Sequence, residues 1–565
     1  MKHKNDLHKL IISLNGRNKK AFDELSGDYN FDDFTLTIDQ VSFDMSRDSA
    51  HMRARISLDN AKFPKDVFST RSREIAARDF LIRSFDTMAK KVRISVRNIN
   101  GGRILIDSPS KEILETSALV VNEQFIEVRF IAELLTRKGI VDASLNCKLL
   151  VENIPKIISG SLVFKNIDTE LLADWIETCE DADAARDQLA TRKLVAFIAD
   201  GSVLKRNLPY KTGLGDLKTV EFVSPEELAV TLELPNKGSI RGMGIPNGIT
   251  VITGGRFNGK STLLKTLELG VYNHIPGDGR ELIVTVADAV GIKAEPGRSI
   301  EKVNISALFG NPGFSVDYKS FSTKNATASE SLAANIFEAL EVGTSLLLID
   351  EDTVTADCIG RDARMQALIP KEDEPSSSLR EILPKLRDNL GISAVIVTSG
   401  SGDFFDCADT VIAMKHFQPY TVTAEAHRIA EEHSIKRYVE SPDIITLPSN
   451  RLPLTLSFIV NTEESPIRQQ PRDKMIIRYG NEIIDVPLTQ IVSFSQARAL
   501  SRSLALVHRL NDSSNSLRDV IEKVMKRIDV VGLDTLSSRL TGDLAMFRAH
   551  ELAAVINRME NLKIK

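Results

Sequence analysis

Cysteine is scarce in this chain, which has four cysteines among 565 residues. They lie far apart, at Cys147, Cys179, Cys358 and Cys407, and none forms a Cys-x-x-Cys pair. Disulfide frameworks and zinc sites both depend on characteristic cysteine spacings, so the sequence indicates neither. The nine histidines also show no spacing typical of metal ligands. We therefore expect a protein of a reducing compartment.

Long apolar runs and a strong charge of one sign are missing too. No apolar stretch approaches the roughly 18–20 residues that a membrane helix needs, and residues 1–6 lead into an amphipathic segment rather than a secretory signal. The net charge of −5 gives no overall attraction to nucleic acid or acidic membranes. With 42% hydrophobic and 26% charged residues, the composition is that of an ordinary soluble protein. We expect a cytoplasmic location and no membrane partner.

The pattern of elements divides the chain into three regions. A chain of this length is expected to hold about three or four domains. Residues 1–215 are predicted to form an N-terminal α+β domain, and residues 441–565 a C-terminal α+β domain. Residues 216–440 alternate buried strands with helices, which is typical of an α/β domain with a largely parallel sheet. The predicted strands are 34–38, 91–97, 103–106, 194–202 with a turn at its end, 249–253, 282–286, 345–349, 394–397 and 474–479, and the predicted helices include 73–85 and 331–340.

The most informative segment is 254–262, which reads Gly-Gly-Arg-Phe-Asn-Gly-Lys-Ser-Thr. It matches the phosphate-loop pattern and lies between a predicted strand and a predicted helix. Glycine lets such a loop surround a polyphosphate with backbone N–H groups. Lys260 is expected to contact the β- and γ-phosphates, and Ser261 to bind Mg²⁺. The predicted nucleotide-binding residues are Gly254, Gly255, Arg256, Phe257, Asn258, Gly259, Lys260, Ser261 and Thr262.

An acidic run follows the apolar strand at 345–349. A carboxylate at the carboxyl end of such a strand is where phosphate-loop enzymes hold Mg²⁺, so Asp350 is predicted to be a metal ligand. Glu351 follows directly and suits a catalytic base that polarises the attacking water. Asp352 completes the run. An apolar strand that ends in acids is common by itself, and the preceding phosphate loop is what favours the catalytic interpretation.

Several stretches together resemble the predicted ATPases of the ABC class, a family distinct from transporter subunits. Residues 350–357 resemble the Asp-Glu-Pro-Thr-Ser-x-x-Asp run of ABC ATPases, with Asp352 in place of proline. The resemblance covers most of the chain and is weaker before residue 190. It implies an α/β ABC-type core that binds ATP and Mg²⁺ between two copies of the chain, flanked by extra domains. Besides the phosphate loop, it rests on 242–246, 270–281, 361–366, 401–409 and 556–558.

The resemblance also implies residues that act across a homodimer. Asp357 matches the position that reaches the partner, and 326–330 lies where ABC proteins carry a Leu-Ser-Gly-Gly-Gln motif that contacts the opposite γ-phosphate. Thr327 and Ser329 are therefore candidates for contacting the nucleotide that the partner copy binds. Thr327-x-x-Glu330 is equally a capping box at a helix start, and the two interpretations are compatible.

Two positions depart from the family pattern. Ser399 stands where ABC ATPases usually have a histidine near the γ-phosphate. Its N–H and hydroxyl can still bind phosphate, but hydrolysis is expected to be slow or differently organised. Asn258 replaces a usual histidine and is expected to alter hydrogen bonds within the loop. The residue that stacks on the base is not identified, because Phe222 and Tyr210 are equally compatible with core positions.

Three functions fit these residues. The first is an ATP-driven clamp on a macromolecule, with nucleic acid as a candidate because Lys91, Arg93 and Arg97 share one face of the predicted strand 91–97. Such a face is more often simply solvated. The second is a nucleotide-sensing structural dimer with negligible turnover. A small-molecule kinase ranks last, because it does not account for Asp357. Further basic residues precede the strand, at Arg71, Arg73, Arg78, Arg83 and Lys90.

Overall fold

The described part of the protein forms two compact units. The first comprises Met1–Glu180 and Val531–Met546, and the second comprises Asp181–Val530 and Phe547–Lys565. Within the described ranges, no helix combines the length and the apolar character that a membrane crossing requires. The computed structural model describes residues 2–43, 48–95, 101–204, 220–310, 316–353, 363–374, 376–433, 439–442, 444–447, 450–459, 468–469 and 475–565.

A seven-stranded sheet forms the centre of the first unit, in the order β1-β2-β3-β4-β8-β5, with β7 also paired to β8. Its pairs are antiparallel apart from β1 with β2. Phe85 on α3 packs against Phe130 on β8, with ring centroids 5.2 Å apart. The strands are β1 Lys2–His3, β2 Gly27–Asn30, β3 Phe34–Phe43, β4 Asp48–Ser57, β5 Ile104–Leu105, β6 Glu112–Ile113, β7 Leu119–Val121, β8 Phe125–Glu133, β9 Thr136–Arg137 and β10 Ile140–Val141; the helices are α1 Lys4–Ser13, α2 Leu58–Ala61, α3 Arg71–Lys91, α4 Ala143–Cys147, α5 Ile154–Leu162 and α6 Thr169–Thr191, which runs into the second unit.

The predicted strand at 91–97 is wrong. Helix α3 continues to Lys91, and the N–H of Val92 donates to the carbonyl of Met88 at its end. Two lysines in the last turn suit a helix C-terminus, where the partial negative charge of the carbonyl groups favours cations. Residues 93–95 form no strand, and Arg97 lies outside the described residues. The predicted strand at 34–38 and helix at 73–85 are confirmed in longer forms, whereas 103–106 shortens to two residues.

A segment from near the chain end completes the first unit. Arg129 on β8 donates to the carboxylate of Asp534, with Nη2 2.8 Å from Oδ2. The N–H of Leu544 donates to the hydroxyl of Ser117 at 3.1 Å, and Thr116 forms a β-bridge with Ala545. The sequence places this segment in the predicted C-terminal region, 441–565, because contacts between distant segments leave no local pattern in the sequence.

A six-stranded sheet carries the phosphate loop in the second unit. Its order is β17-β20-β21-β14-β22-β23, and its pairs are parallel apart from β22 with β23. The predicted strands at 249–253, 345–349 and 394–397 are confirmed here within one residue. The strands of this unit are β11 Leu194–Ala199, β12 Ala229–Leu234, β13 Gly238–Pro246, β14 Ile249–Thr253, β15 Asn273–His274, β16 Ile283–Thr285, β17 Val290–Ile292, β18 Ile300–Val303, β19 Phe321–Thr323, β20 Leu346–Asp350, β21 Ser393–Val397, β22 Thr410–Lys415, β23 Gln418–Thr421, β24 Arg468–Gln469, β25 Met475–Tyr479 and β26 Glu482–Val486.

The strand predicted at 282–286 exists but does not join the parallel sheet. As β16 it pairs antiparallel with β11, in a separate sheet of order β12-β13-β11-β16. Strand β11 lies within the predicted N-terminal region, 1–215, yet it pairs with strands of the second unit. All six of its residues are buried, so its apolar run carries no information about direction or partner.

The last part of the chain packs on the phosphate-loop helix α7. The hydroxyl of Thr489 donates to the Glu268 carboxylate at 2.6 Å, and the Gln490 amide donates to the Glu268 carbonyl at 3.2 Å. The hydroxyl of Tyr272, just beyond α7, donates to the Gln490 carbonyl at 2.8 Å. These bonds tie α7 to the C-terminal residues. The helices of this unit are α7 Lys260–Leu269, α8 Ala328–Glu341, α9 Ala363–Leu368, α10 Leu379–Leu390, α11 Thr423–Glu432, α12 Phe494–Leu510, α13 Leu517–Val531 and α14 Ala549–Asn557.

His550 in α14 makes the fold sensitive to acid. Burial lowers the pKa of His550 to about 3, and the neighbouring Arg548 guanidinium adds to the effect. Neither ring nitrogen has a hydrogen-bond partner in the described part of the chain. The imidazole of an unfolded chain has a pKa of about 6.5, so the unfolded state binds the proton more readily. His550 therefore leaves the free energy of unfolding unchanged above about pH 6.5 and lowers it progressively as the pH falls towards 3.

Substitution of His550 by glutamine is expected to reduce this acid sensitivity. Relative to the variant, the free energy of unfolding of the wild type should fall by about 1.4 kcal/mol per pH unit below pH ~6.5, because glutamine does not titrate. Urea unfolding of both proteins at pH 7.0 and 5.5 measures the difference. The matched control replaces His433, an exposed histidine at the end of α11. A difference between wild type and variant that does not change with pH would contradict the prediction.

Candidate functional site

Three loops meet at the carboxyl edge of the parallel sheet. The phosphate loop follows β14, Asp350 ends β20, and Ser399 lies just beyond β21. Strand β21 lies between the other two and pairs with both of them. Because the strands are parallel, their carboxyl ends lie at one edge, which is where open α/β sheets bind ligands. The sheet order thus brings together segments that are far apart in the sequence.

The phosphate loop has the backbone that its glycines permit. Gly254 and Gly259 have φ angles of 130° and 97°, in the region that favours glycine. A Cβ added at Gly254 would lie 2.3 Å from the carbonyl oxygen of Met414 on β22, so a side chain there is excluded. Helix α7 begins at Lys260, and the free N–H groups of its first turn are a suitable anion site. The loop therefore has the form of a phosphate cradle.

Lys260 is held against the start of this loop. Its side chain is 6% exposed, and Nζ donates to the carbonyl oxygens of Gly254 and Gly255 at 2.7 and 3.0 Å. The ammonium group therefore lies at the loop, where it can contact phosphate oxygens. Arg256 and Phe257 are exposed, and Thr262 lies in the first turn of α7.

Ser261 and Asp350 lie side by side. The N–H of Asp352 donates to Oδ1 of Asp350 at 3.1 Å. Burial raises the pKa of Asp350, and the Asp352 N–H and the nearby Ser261 hydroxyl oppose the rise. A hydroxyl and a carboxylate are the hard oxygen ligands that Mg²⁺ prefers, and a cation would stabilise the ionised form that burial disfavours. The two residues therefore fit Mg²⁺, which would neutralise phosphate charge when bound.

Glu351 lies beside the loop after β21. Its Oε2 accepts a hydrogen bond from the N–H of Ser399 at 2.9 Å. The bond fixes the carboxylate at the edge of the sheet and leaves Oε1 for a second contact. Glu351, the predicted base, and Ser399, the predicted phosphate contact, therefore lie next to each other.

Asn258 joins the phosphate loop to the turn between β22 and β23. Its Oδ1 accepts from the N–H of His416 at 2.8 Å, while Nδ2 lies 3.5 Å from the Arg256 carbonyl oxygen. The local sequence did not predict this turn. The dipeptide His416-Phe417 lacks the glycine or asparagine that usually marks a two-residue hairpin turn.

The segment at 326–330 starts a helix, as its capping-box interpretation predicts. The Glu330 N–H donates to the Thr327 hydroxyl at 3.2 Å, and the Thr327 N–H donates to the Glu330 carboxylate at 2.8 Å. Helix α8 then runs Ala328–Glu341, and Ser329 is buried. The capping interpretation is confirmed. A role in trans for Thr327 and Ser329 stays a prediction, and Asp357 lies outside the described residues.

The arginines of α3 are engaged within the first unit. Arg83 binds Asp79, with Nε and Oδ2 2.7 Å apart, and Arg73 binds Glu180, with Nη1 and Oε2 2.9 Å apart. Lys91 and Arg93 are exposed. Nucleic acid therefore stays a predicted partner. The exposed basic patch that would bind it is smaller than the one predicted from the sequence. The remaining pairs are Arg71 with Glu74 and Glu115, Arg73 with Asp66, Arg78 with Glu74 and Glu115, and Lys90 with Asp86.

Three family models match this chain in succession. A model described as ATPase of the ABC class N-terminal matches residues 4–165. A model described as the P-loop domain of ABC ATPases matches residues 168–451, which is half of the chain. A model described as MRB1590 C-terminal domain matches residues 468–565. The site at the sheet edge lies within the match to the P-loop domain.

One curated relative resembles the chain over part of its length. It is Uncharacterized protein MJ1628 from Methanocaldococcus jannaschii, with 32% identity over 249 residues. The aligned part makes up 42% of this chain and 54% of the archaeal protein. The chain therefore spans about half the length of this relative.

Proposed function

We propose that this chain, which belongs to the ATPases of the ABC class, binds ATP with Mg²⁺. It hydrolyses the ATP in a site that a second copy of the chain completes. The observation that carries the proposal is the proximity of the Ser261 hydroxyl to the Asp350 carboxylate, with Lys260 held at the same loop. It places a phosphate-loop hydroxyl beside a strand-end carboxylate, which is the oxygen pair that holds Mg²⁺ in phosphate-loop enzymes.

The side chains have separate roles in this proposal. Lys260 and the N–H groups of the loop bind the phosphates, and Ser261 and Asp350 hold Mg²⁺. Glu351, oriented by the Ser399 N–H, accepts a proton from the attacking water. Thr327, Ser329 and Asp357 are proposed to approach the nucleotide from the partner copy. Closure of the two copies would then act as a clamp on a macromolecule.

The competing function is a nucleotide-sensing dimer without significant turnover. It is favoured by Ser399, which supplies no imidazole at the position where ABC ATPases usually have one. In that case nucleotide binding alone would change the association of the copies. The two functions share one binding site and differ only in the chemistry at Glu351, so turnover separates them.

Association of the full-length chain with Mg-ATP tests the composite site. Multi-angle light scattering of Glu351→Gln, chosen to keep ATP intact, is expected to show a molar mass of twice the 62.5 kDa chain with Mg-ATP and a lower mass without nucleotide. Lys260→Met is the control that should not respond to ATP. Adding single-stranded RNA to the same samples tests nucleic acid as the partner by a further rise in mass. A monomer at an ATP concentration that saturates binding by calorimetry would rule out the composite site.

A further inference from the structure

The two-residue turn between β22 and β23 has an unusual backbone. His416 and Phe417 have φ angles of 52° and 65°, and Phe257 in the nearby phosphate loop has a φ of 63°. Residues other than glycine seldom adopt such angles, because Cβ comes too close to the backbone. Such strain persists only where the surroundings hold it in place, and it concentrates at binding sites.

Phe417 lies against the phosphate loop. A Cβ added at Gly259 would lie 3.1 Å from Cδ1 of Phe417, so the ring packs over the glycine that precedes Lys260. The neighbouring residue His416 donates to Asn258 at 2.8 Å, which fixes the turn to the loop. Phe417 is 40% exposed, so the ring also presents surface to solvent.

The other side of the turn is anchored as well. The Gln418 amide donates to the Glu221 carbonyl at 2.7 Å and accepts from the Val223 N–H at 3.1 Å. The turn is thus held by the phosphate loop on one side and by residues 221–223 on the other. An exposed aromatic ring on a doubly anchored turn is pre-organised to receive a flat apolar ligand.

The strand order indicates which end of a nucleotide would reach this ring. Asp350 ends β20, Glu351 follows it and Ser399 lies just beyond β21, and both strands lie on the same side of β14. Those groups act at the γ-phosphate and its metal. The turn at 416–417 lies on the opposite side of β14, beyond β22. A nucleotide with its γ-phosphate near Asp350 would therefore extend its base towards Phe417.

The aromatic residues considered from sequence do not fill this role. Phe222 is 1% exposed and belongs to the core, and Tyr210 lies outside the described residues. Phe257 is 92% exposed and makes no ring contact of its own in the described structure. Phe417 therefore combines an exposed face with a fixed position beside the loop.

We infer that the base of the bound nucleotide stacks on the exposed face of Phe417. The inference rests on the proposed nucleotide binding and assigns the base contact that the sequence left open. Stacking uses the π face that every base has, so this contact by itself does not select adenine. The anchored turn would hold the ring in place before the nucleotide arrives, which reduces the ordering required on binding.

Calorimetry with two ligands tests the inference on the full-length chain. Phe417→Leu is expected to weaken Mg-ATP binding by roughly 5- to 100-fold, the range for loss of one base–aromatic stack. Binding of Mg-tripolyphosphate, which has no base, should change less than about twofold. Phe417→Tyr keeps a ring and should retain ATP binding. Tyr420→Leu, a matched change at another exposed ring on β23, should leave both ligands unaffected.

The outcomes distinguish this inference from the proposed function. If Phe417→Leu weakened the binding of both ligands equally, the ring would only support the loop. If it did not weaken ATP binding, the base would lie elsewhere. Either result overturns the inference. A loss of ATP affinity in Tyr420→Leu equal to that in Phe417→Leu also overturns it. Failure of the wild type to bind either ligand would instead refute the proposed nucleotide binding itself.

Discussion

Glu351→Gln is expected to lower steady-state ATP turnover by at least ~100-fold, because a positioned general base contributes typically 10²–10⁴ in rate. Glutamine has the same shape, and its amide oxygen can still accept the hydrogen bond from the Ser399 N–H. It cannot accept a proton from water. ATP affinity should therefore stay within about twofold while phosphate release falls by at least ~100-fold. Phosphate release with saturating Mg-ATP measures the first quantity, and calorimetry measures the second.

Asp352→Asn is the matched control. It makes the same change of charge one residue further on, at an exposed side chain for which we assign no chemical role. Its turnover should stay within a few-fold of the wild type. If wild type and Glu351→Gln release phosphate equally slowly, the hydrolysing clamp is excluded and the nucleotide-sensing dimer is favoured. A large loss of ATP turnover in Asp352→Asn alone would assign the catalytic role to Asp352 instead of Glu351.

Lys260→Met is expected to weaken Mg-ATP binding on the order of 100-fold. The estimate corresponds to losing about 3 kcal/mol of charge-assisted hydrogen bonds to phosphate. Methionine preserves the apolar stem of a side chain that is almost fully buried, so the loss should come from the ammonium group. Calorimetry with Mg-ATP measures the affinity, and a thermal melt shows whether the variant is folded.

Lys265→Met provides the comparison for this variant. Lys265 lies on the same helix and is exposed, so its replacement removes an equal charge without touching the loop. ATP affinity should remain near that of the wild type. Equal weakening in the two variants would mean that the overall charge of α7, rather than the position of Lys260, attracts the nucleotide. An unfolded Lys260→Met would instead indicate that its bonds to the Gly254 and Gly255 carbonyls are mainly structural.

The elements around the site could be predicted because their signals are local. Strands β14, β20 and β21 are short apolar runs, and α7 follows a glycine-rich loop whose backbone angles require glycine at Gly254 and Gly259. The capping box of α8 involves residues three apart. In each case the interacting groups lie within a few residues of one another.

The errors arose where two structures share one local pattern. Alternating charged and apolar residues at 91–97 suited a strand, but Lys90 and Lys91 complete helix α3. The buried run at 282–286 suited the parallel sheet, but as β16 it pairs antiparallel with β11. Periodicity reports which side chains are buried and does not report which strand lies alongside.

The sequence by itself determined that this protein has a phosphate loop, an acidic strand end and the family to which they belong, because each is carried by neighbouring residues. Only the tertiary structure decided that Ser261 meets Asp350, that Ser399 orients Glu351, and that the turn at 416–417 packs on the loop. Those contacts depend on the order of strands in the sheet. Strand order follows from the packing of the whole unit, and no local pattern contains it.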